Sequence, residues 1–254
     1  FYGTVGNDLM GGFLIDFANK QNIKAAYLNI SLNRNTTLAF VDIDENGERN
    51  FCFYRKHTAD YDLKPIRQID LKNANIVHFG SLMLSEEEGF EYALNEIKRV
   101  RSLGKYISFD VNFRTDIFKN EEEALDRYKT ILKYVDIVKF SEDEVNIFGK
   151  KYVKNLSQKA LVCVSLGNKG SKYIYKGLTN KIPSIKVKPI DTTGAGDAFF
   201  AAILMNLDGI NSNEWNKELL DKIFKFANIA GALTTLKVGA IDGLPSNEEI
   251  KKYY

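Results

Sequence analysis

The stretch DTTGAGDAFFAAILMNL, residues 191–207, joins a turn of small residues to an apolar helical pattern. Gly194, Ala195 and Gly196 are small enough to let a ligand approach the backbone, and they lie where the unpaired N–H groups of a helix begin. Such a helix end binds anions. The helix is apolar on all sides, which predicts that it is buried with its amino end fixed. Asp197, in its first turn, is expected to be a buried carboxylate, which needs a purpose, and it is therefore a candidate catalytic residue.

Three interpretations of this stretch compete. In the first, the turn is structural and Asp197 caps the helix or interacts with its dipole. A dinucleotide fingerprint GxGxxG is disfavoured, because Phe199 stands in place of its third glycine and Asp197 would repel a pyrophosphate. In the third, backbone N–H groups stabilise the charge of a transferring phosphate while Asp197 accepts the proton of an attacking hydroxyl. All the polar features agree only with this third interpretation.

From residue 75 onward, apolar strand patterns alternate with helical patterns, which predicts an α/β fold built on a doubly wound, mostly parallel sheet flanked by helices. The predicted strands are NIVHF (75–79), YISFD (106–110), VDIVKF (135–140) and ALVCVS (160–165), followed by a β pair, SKYIY (171–175) and IPSIKV (182–187). The predicted helices are 85–102, 121–133, 195–207, 216–235 and 246–253. Polar clusters follow the first four strands, and the carboxyl ends of such strands form the ligand crevice.

The amino-terminal part of the chain has a different pattern. FYGTV reads as a strand, and Leu9, Phe13 and Phe17 follow at helical spacing until a break near Asn22. TLAFVDI, the turn DENG and RNFCFYR then predict a β-hairpin over residues 37–55. Because it interrupts the alternation, we interpret this hairpin as a small β lid. The predicted division is a core of residues 1–36 and 56–254 and a lid of residues 37–55.

Composition favours a small-molecule partner. Thirty-five Lys and Arg against 33 Asp and Glu give a formal net charge of +2, and no charge run suggests nucleic acid or a membrane as partner. No apolar stretch is long enough to span a bilayer, and no signal peptide is recognised, so a cytoplasmic location is expected. Cys52 and Cys163 lie in apolar strand patterns and are expected to be buried thiols without a disulfide. His57 and His78 lack ligand spacing and are interpreted as structural.

DTTGAGD is similar to the second signature of the ribokinase/PfkB family. The strings DVNFR, VKFSEDE, SLGNKG and FANIAGALTTLKVGAI resemble the fructokinase branch in the same order, so the resemblance covers essentially the whole chain. It implies a ribokinase-like fold and an ATP-dependent sugar kinase, with fructose phosphorylated at its 6-hydroxyl. A 2-keto-3-deoxygluconate kinase is the alternative enzyme, and a catalytically silent sugar or nucleotide sensor is an alternative of another class.

The chain departs from the family pattern at its amino end. FYGTVGND resembles the stretch that follows the family's first signature, a GGAPANVA-like segment, so that signature and the amino-terminal strands are expected upstream of residue 1. No Walker A sequence is found, nor the HRD and DFG motifs of protein kinases, so these other phosphotransfer scaffolds are disfavoured.

The resemblance also implies roles for single residues. Asp197 would be the base, residues 194–196 the anion hole, and Arg114 a cation that meets phosphate or substrate, a surface arginine being the alternative. Glu144 resembles the acid of the family's NxxE motif, which positions Mg²⁺ through water. Ser141 replaces the Asn of that motif, and a helix-capping Ser is the alternative there.

The remaining site residues fall into three groups. The ATP-binding residues implied by the resemblance are Asn112, Lys139, Ser141, Ser165, Gly167, Gly170, Asn228 and Gly231. A K⁺ site is implied at Asp191 and Thr193, with carbonyls near Gly231 and Gly239, although from the residues alone a turn is an equal interpretation. The residues expected to bind the sugar are Phe53, Tyr54, Arg55, Asp110, Arg114 and Asp197. Phe53 and Arg55 share a strand face, an edge-strand aromatic with a solubilising Arg being the alternative. A homodimer could form through the hairpin.

Overall fold

The computed structural model describes residues 1–21, 23, 27–43 and 49–254. Two compact units make up the chain. The first comprises Phe1–Lys72, Leu82–Arg99 and Arg114–Tyr128, and the second comprises Asn73–Ser81, Val100–Phe113 and Lys129–Tyr254. Within the described residues, no helix is both long and apolar enough to cross a membrane.

The strands alternate with helices through most of the chain. The strands are β1 (Tyr2–Gly6), β2 (Tyr27–Ser31), β3 (Leu38–Ile43), β4 (Arg49–Tyr54), β5 (Ile76–Phe79), β6 (Tyr106–Asp110), β7 (Ile137–Ser141), β8 (Leu161–Ser165), β9 (Ser171–Tyr175) and β10 (Leu178–Ile182). The helices are α1 (Leu9–Lys20), α2 (Gln68–Asn73), α3 (Glu87–Ser102), α4 (Glu121–Leu132), α5 (Glu142–Phe148), α6 (Lys150–Leu156), α7 (Ala195–Leu207), α8 (Lys217–Thr234) and α9 (Asn247–Lys251).

The first unit contains two separate pairs of strands. β1 and β2 pair in parallel, and β3 and β4 form an antiparallel hairpin. The turn DENG predicted for this hairpin lies outside the described residues. The interpretation of the hairpin as a lid, and the division of the chain into core and lid, stay predictions.

Helix α1 forms where the apolar spacing predicts it, but its apolar residues do not face the unit's interior. Leu9 and Phe13 are exposed, whereas Gly11 and Ala18 are buried. A Cβ on Gly11 would lie 2.1 Å from the carbonyl oxygen of Gly6, so the helix packs on β1 through its small residues. Periodicity located the helix correctly and did not identify its buried face.

The second unit contains the central sheet, with strand order β10-β9-β8-β7-β6-β5. β5 to β8 are parallel, and β9 and β10 are antiparallel additions at one edge. Apart from Lys139 and the serines at their ends, β7 and β8 are apolar, and both are almost fully buried, which is typical of strands covered on both faces. The predicted mostly parallel α/β sheet flanked by helices is confirmed.

Each face of this sheet packs against a different set of helices. On one face, Ile137 and Leu161 belong to the core cluster that contains residues of α7 and α8. On the other, the ring of Phe140 meets Phe148 of α5 edge-on at 5.4 Å between ring centroids. Alternate residues of one strand therefore face α7 and α5, so Lys139 lies on the α7 side with Ile137.

The predicted strand IPSIKV is wrong. The strand that pairs with β9 is β10, which ends at Ile182, and residues 183–187 are in neither a helix nor a strand. Lys176 and Gly177 both have positive φ, of 44° and 87°, so the chain turns directly after β9 and pairing begins at Leu178. Pro183 has no N–H to donate, and the strand ends before it.

The expectation that both cysteines are buried is half wrong. Cys163 is buried in β8, whereas Cys52 in the hairpin is exposed, and both are free thiols. The reason is the surroundings of each strand. β8 lies between β7 and β9 in the six-stranded sheet, whereas β4 belongs to a two-stranded sheet with β3.

Candidate active site

The amino end of α7 has the geometry of an anion site. Gly194 caps the helix with φ of 79°, and a Cβ there would come within 2.9 Å of the Cβ of Ala240. The N–H of Ala195 bonds to the carbonyl of Thr192, and that of Ala198 bonds to the carbonyl of Gly194. Among the described residues, none accepts from the N–H groups of Gly196 and Asp197. Two donors of the first turn are therefore available to an anion.

A buried ion pair lies beside this helix end. The Lys139 ammonium donates to both carboxylate oxygens of Asp110 at 2.8 Å, and both residues are less than 9% exposed. A Cβ on Gly196 would lie 3.4 Å from Nζ of Lys139, so the ammonium also adjoins the α7 turn. Asp197 itself is exposed in the first turn of α7, so the expectation that this carboxylate is buried is wrong, because the buried run of the helix begins only at Ala198. The predicted residues Asp110, Lys139 and Gly196 are thus brought together.

The pKa of the Asp110 carboxyl is raised, chiefly by burial. Lys139 opposes this rise, and the negative charges of Glu144 and Asp197 add to it. Asp110 thus interacts with the ammonium of Lys139 and with two further negative charges.

Glu144 binds backbone groups from two strand ends. One carboxylate oxygen accepts from the N–H of Phe113 at 2.7 Å, and the other accepts from the N–H of Ser141 at 2.6 Å. Ser141 caps α5 by accepting from the N–H of Glu144, which completes a capping box. The helix-capping alternative therefore describes the geometry of Ser141 and Glu144. A role toward Mg²⁺ stays a prediction.

The residue before Phe113 has an uncommon backbone conformation. Asn112 has φ of 35°, in the left-handed region that Asn tolerates better than most residues. Its carbonyl accepts from the hydroxyl of Ser81 at 3.5 Å. The hydrogen bond that the N–H of Phe113 donates to Glu144 helps to hold this turn, which follows β6.

A pocket of about 600 Å³ adjoins the α7 turn within the second unit. Its wall includes five of the predicted ATP-binding residues: Ser165, Gly167, Gly170, Asn228 and Gly231. Gly231 allows α8 to approach α7 closely, because a Cβ there would lie 3.0 Å from the carbonyl oxygen of Ala195. Asn112, Lys139 and Ser141, predicted for the same ligand, do not line this pocket.

Sequence reasoning missed one wall of the pocket. Residues 184–187 and Pro189 line it, but the first four were assigned to a strand. Pro183 and Pro189 at the two ends of this stretch are the signal that could have indicated an irregular segment.

Asp191 bridges two loops. One carboxylate oxygen accepts from the N–H of Thr193 at 2.8 Å and the other from the N–H of Gly239 at 2.9 Å. The first bond agrees with the interpretation of Asp191 and Thr193 as residues of a turn. The second bond brings Gly239 to Asp191, as the predicted K⁺ site requires, and that site stays a prediction.

The other predicted sugar residues belong to the first unit. Arg114 and Phe53 are half-buried, and Tyr54 is exposed. Arg55 forms an ion pair with Asp60 and donates to the hydroxyl of Tyr61 at 2.7 Å. Its guanidinium is therefore held by neighbours within its own unit.

The two histidines predicted to be structural have different surroundings. His78 contacts the hydroxyl of Ser108 at 3.0 Å and the ring of Phe200 edge-on, and His57 is exposed. Within the described part of the chain, no group of three His, Cys, Asp or Glu side chains is arranged to hold a metal ion.

Comparisons with known proteins agree with this geometry. Residues 1–247 match the pfkB family carbohydrate kinase. Fructokinase-2 of Oryza sativa subsp. japonica is 35% identical over 256 residues, which cover 97% of this chain and 76% of that protein. Two crystal structures are similar over nearly the whole chain. The fructokinase of Xylella fastidiosa with bound ATP has a TM-score of 0.92 at 26% identity, covering 99% of this chain and 83% of that one.

The second structure is the fructokinase of Vibrio cholerae O395 in its fructose, ADP and calcium ion bound form. Its TM-score is 0.86 at 29% identity, covering 100% of this chain and 84% of that one. The match of the family over residues 1–247 includes every element from β1 to the first residue of α9. The chain therefore belongs to the pfkB family of carbohydrate kinases, phosphotransferases with an alcohol group as acceptor.

Proposed function

We propose that this protein is a fructokinase, which transfers the γ-phosphoryl group of ATP to the 6-hydroxyl of D-fructose. The observation that carries the proposal is the amino end of α7. Gly196 lines a pocket of about 600 Å³ there, and the N–H groups of Gly196 and Asp197 have no acceptor among the described residues. The choice of ATP and fructose as substrates is based on the relatives that are named fructokinases. The 2-keto-3-deoxygluconate alternative is not favoured by these relatives.

Asp197 acts as the general base. It accepts the proton of the sugar hydroxyl as the oxygen attacks the γ-phosphorus, and the bond from phosphorus to the bridging oxygen of ADP breaks. The N–H groups of Gly196 and Asp197 donate to the phosphoryl oxygens as their charge changes. Its exposed position in the first turn of α7 leaves the carboxylate accessible to an incoming hydroxyl, which supports this role.

Lys139 and Asp110 supply charge and position. The Lys139 ammonium adjoins Gly196, and its ion pair with Asp110 keeps it extended toward the α7 turn. We place Lys139 beside the phosphates and Asp110 beside the sugar. A buried ammonium in this position balances the carboxylates of Asp110, Glu144 and Asp197.

A Mg²⁺ ion fits this site through water. Both oxygens of Glu144 already accept backbone N–H groups, which disfavours direct ligation, but their remaining lone pairs can hold metal-bound water. Mg²⁺ usually keeps several waters and binds substrate phosphates, as such a site requires. When bound, the ion would neutralise charge on the ATP phosphates. Asp191 and Thr193 are proposed to hold K⁺ in the neighbouring loop.

The residues of the first unit are assigned from the family resemblance alone. Arg114 is proposed to contact phosphate and substrate, and Phe53, Tyr54 and Arg55 are proposed to contact the sugar from a hairpin that acts as a lid. A homodimer through the hairpin is proposed as well, and light scattering would test it.

A panel of ADP release tests the proposed substrate. Purified protein is given ATP and Mg²⁺ with D-fructose, D-ribose, 2-keto-3-deoxygluconate or a nucleoside, and initial rates are compared. We expect kcat/KM for fructose to exceed that for each other acceptor. Faster ADP release with 2-keto-3-deoxygluconate would replace fructose as the substrate. Tight binding of ATP and sugar without ADP release would favour the sensor.

A further inference from the structure

An irregular segment, Pro183–Ile190, forms one wall of the pocket beside α7. It follows β10 directly, and Ser184, Ile185, Lys186, Val187 and Pro189 line the pocket. The described hydrogen bonds of this segment lie at its two ends. At the carboxyl end, the N–H of Ile190 donates to the carbonyl of Thr235 at 2.7 Å. The wall therefore depends on its end contacts rather than on a ladder of strand hydrogen bonds.

Asn228 fastens the amino end of the segment. Its side-chain amide donates to the carbonyl of Ile182 at 2.9 Å and to the carbonyl of Pro183 at 3.3 Å. Asn228 is 5% exposed, so these bonds replace water that it could not reach. Thr235 lies seven residues further along the chain, two helical turns after Asn228. The start and end of the wall are thus both bonded to the α8 region.

Gly170 also contacts the amino end of the segment. A Cβ on Gly170 would lie 2.1 Å from the carbonyl oxygen of Ile182 and 2.7 Å from the carbonyl carbon of Pro183. The first peptide group of the segment therefore rests against Gly170 and is bonded to Asn228. This contact explains the need for glycine here, together with its φ of 94°.

We propose that Asn228 is a positioning residue that anchors the wall segment and so sets the affinity of the pocket for nucleotide. The anchoring follows from the hydrogen bonds alone, and the consequence for ATP rests on the proposed function. The side-chain nitrogen of Asn228 donates to two carbonyl oxygens of the protein, so its hydrogen bonds hold the segment rather than the nucleotide. Asn228 acts on the nucleotide through the segment, while the chemistry at Asp197 does not depend on it.

The variant Asn228→Asp tests the anchor, because it keeps the shape of the side chain and an acceptor oxygen but removes both donors. Trypsin cleavage after Lys186, an exposed residue within the segment, reports its mobility in the nucleotide-free protein. Lys188 precedes a proline and is a poor site, so the cleavage is assigned by mass spectrometry. We expect cleavage after Lys186 to be several-fold faster in the variant.

A matched control is Asn206→Asp. Asn206 on α7 also donates its amide to a backbone carbonyl, that of Ala202 at 2.8 Å, but this bond lies within its own helix. This control is expected to leave cleavage after Lys186 unchanged. Melting temperatures verify that each variant is folded. If Asn228→Asp does not fold, Asn228→Ser, which keeps one donor, is measured by the same criterion.

Kinetics give a second readout. Asn228→Asp is expected to raise KM for ATP about tenfold, as for the loss of one or two hydrogen bonds, and to leave kcat at saturating ATP within about threefold. An unchanged cleavage rate after Lys186, with or without a change in KM, would overturn the anchor. Faster cleavage with an unchanged KM for ATP would overturn its role in nucleotide affinity. The proteolysis result stands even if the protein proves not to phosphorylate fructose.

Discussion

At the scale of single residues, removing the negative charge of Asp197 distinguishes a catalytic role of this residue from a structural one. Asp197→Asn keeps the size of the side chain and can still interact with the helix end. As the general base, Asp197 is worth roughly 10²- to 10⁴-fold in turnover, so the variant should lose that much. Its affinity for ATP should hold or rise, because repulsion of the phosphates is removed. Turnover within about threefold of wild type, at an unchanged melting temperature, would exclude Asp197 as the base.

Arg114 carries the second residue prediction. If its guanidinium binds phosphoryl oxygens, Arg114→Ala should lower turnover and raise KM for ATP without lowering the melting temperature. Arg114→Lys should recover only part of the activity, because an ammonium cannot make a planar bidentate contact.

Arg101→Ala is the control for Arg114. It removes a half-exposed guanidinium paired with Asp136, an interaction of little net value. Steady-state kinetics of the three variants decide the assignment. Equal kinetics in Arg114→Ala and wild type would remove Arg114 from the site.

The sequence predicted individual residues of the site but not the contacts between them. Asp110 and Lys139 were both predicted, but for different ligands, and their ion pair was not foreseen. It follows from strand register, since Asp110 and Lys139 are partners across β6 and β7. Likewise, one of the two bonds of Glu144 joins α5 to Phe113, 31 residues away in sequence. Register and long-range contacts are tertiary properties that local patterns do not contain.

At the scale of helices and strands, the α7 turn requires glycine at one position. Gly194→Ala would place a Cβ 3.0 Å from the Cα of Ala240 at a φ of 79°. Backbone strain of this kind costs roughly 1–3 kcal/mol, so the variant should melt at a lower temperature. The amino end of α7 should also shift, which would weaken ATP binding.

Gly12→Ala is the matched control for the α7 glycine. Gly12 lies inside α1, and a Cβ there would meet nothing within 4 Å. This variant should be neutral or more stable by about 0.5–1 kcal/mol, because glycine is unfavourable within a helix. Thermal unfolding and ATP titration of both variants provide the measurement. Equal stability of Gly194→Ala and wild type would show that the turn does not depend on glycine.

Local patterns predicted most of these helices and strands. The strand and helix periods located β5 to β9 and α7 to within a few residues. The error at IPSIKV arose because apolar alternation continues past Pro183, whereas pairing with β9 is fixed by the turn at Lys176 and Gly177. α5 and α6 are seven residues each, too short for a clear helical period in the sequence.

At the scale of the whole molecule, the order of the motifs along the chain carried the functional inference. The pocket of the second unit draws its wall from β8, the loop after it, the segment 183–190, α7 and α8. Apart from that segment, these parts contain strings that resemble the family, so the family could be inferred from the sequence. The volume of the pocket could not, because it depends on how closely α7 and α8 approach at Gly231.

The central claim is phosphoryl transfer from ATP to the 6-hydroxyl of fructose, and identification of the product tests it most directly. Wild-type protein is incubated with ATP, Mg²⁺ and D-fructose, and the reaction is followed by ³¹P NMR, with Asp197→Asn in parallel. We expect fructose 6-phosphate and ADP in equal amounts with the wild type, and far slower formation of both with the variant. Inorganic phosphate in place of a sugar phosphate, or unchanged ATP with both ligands bound, would contradict it.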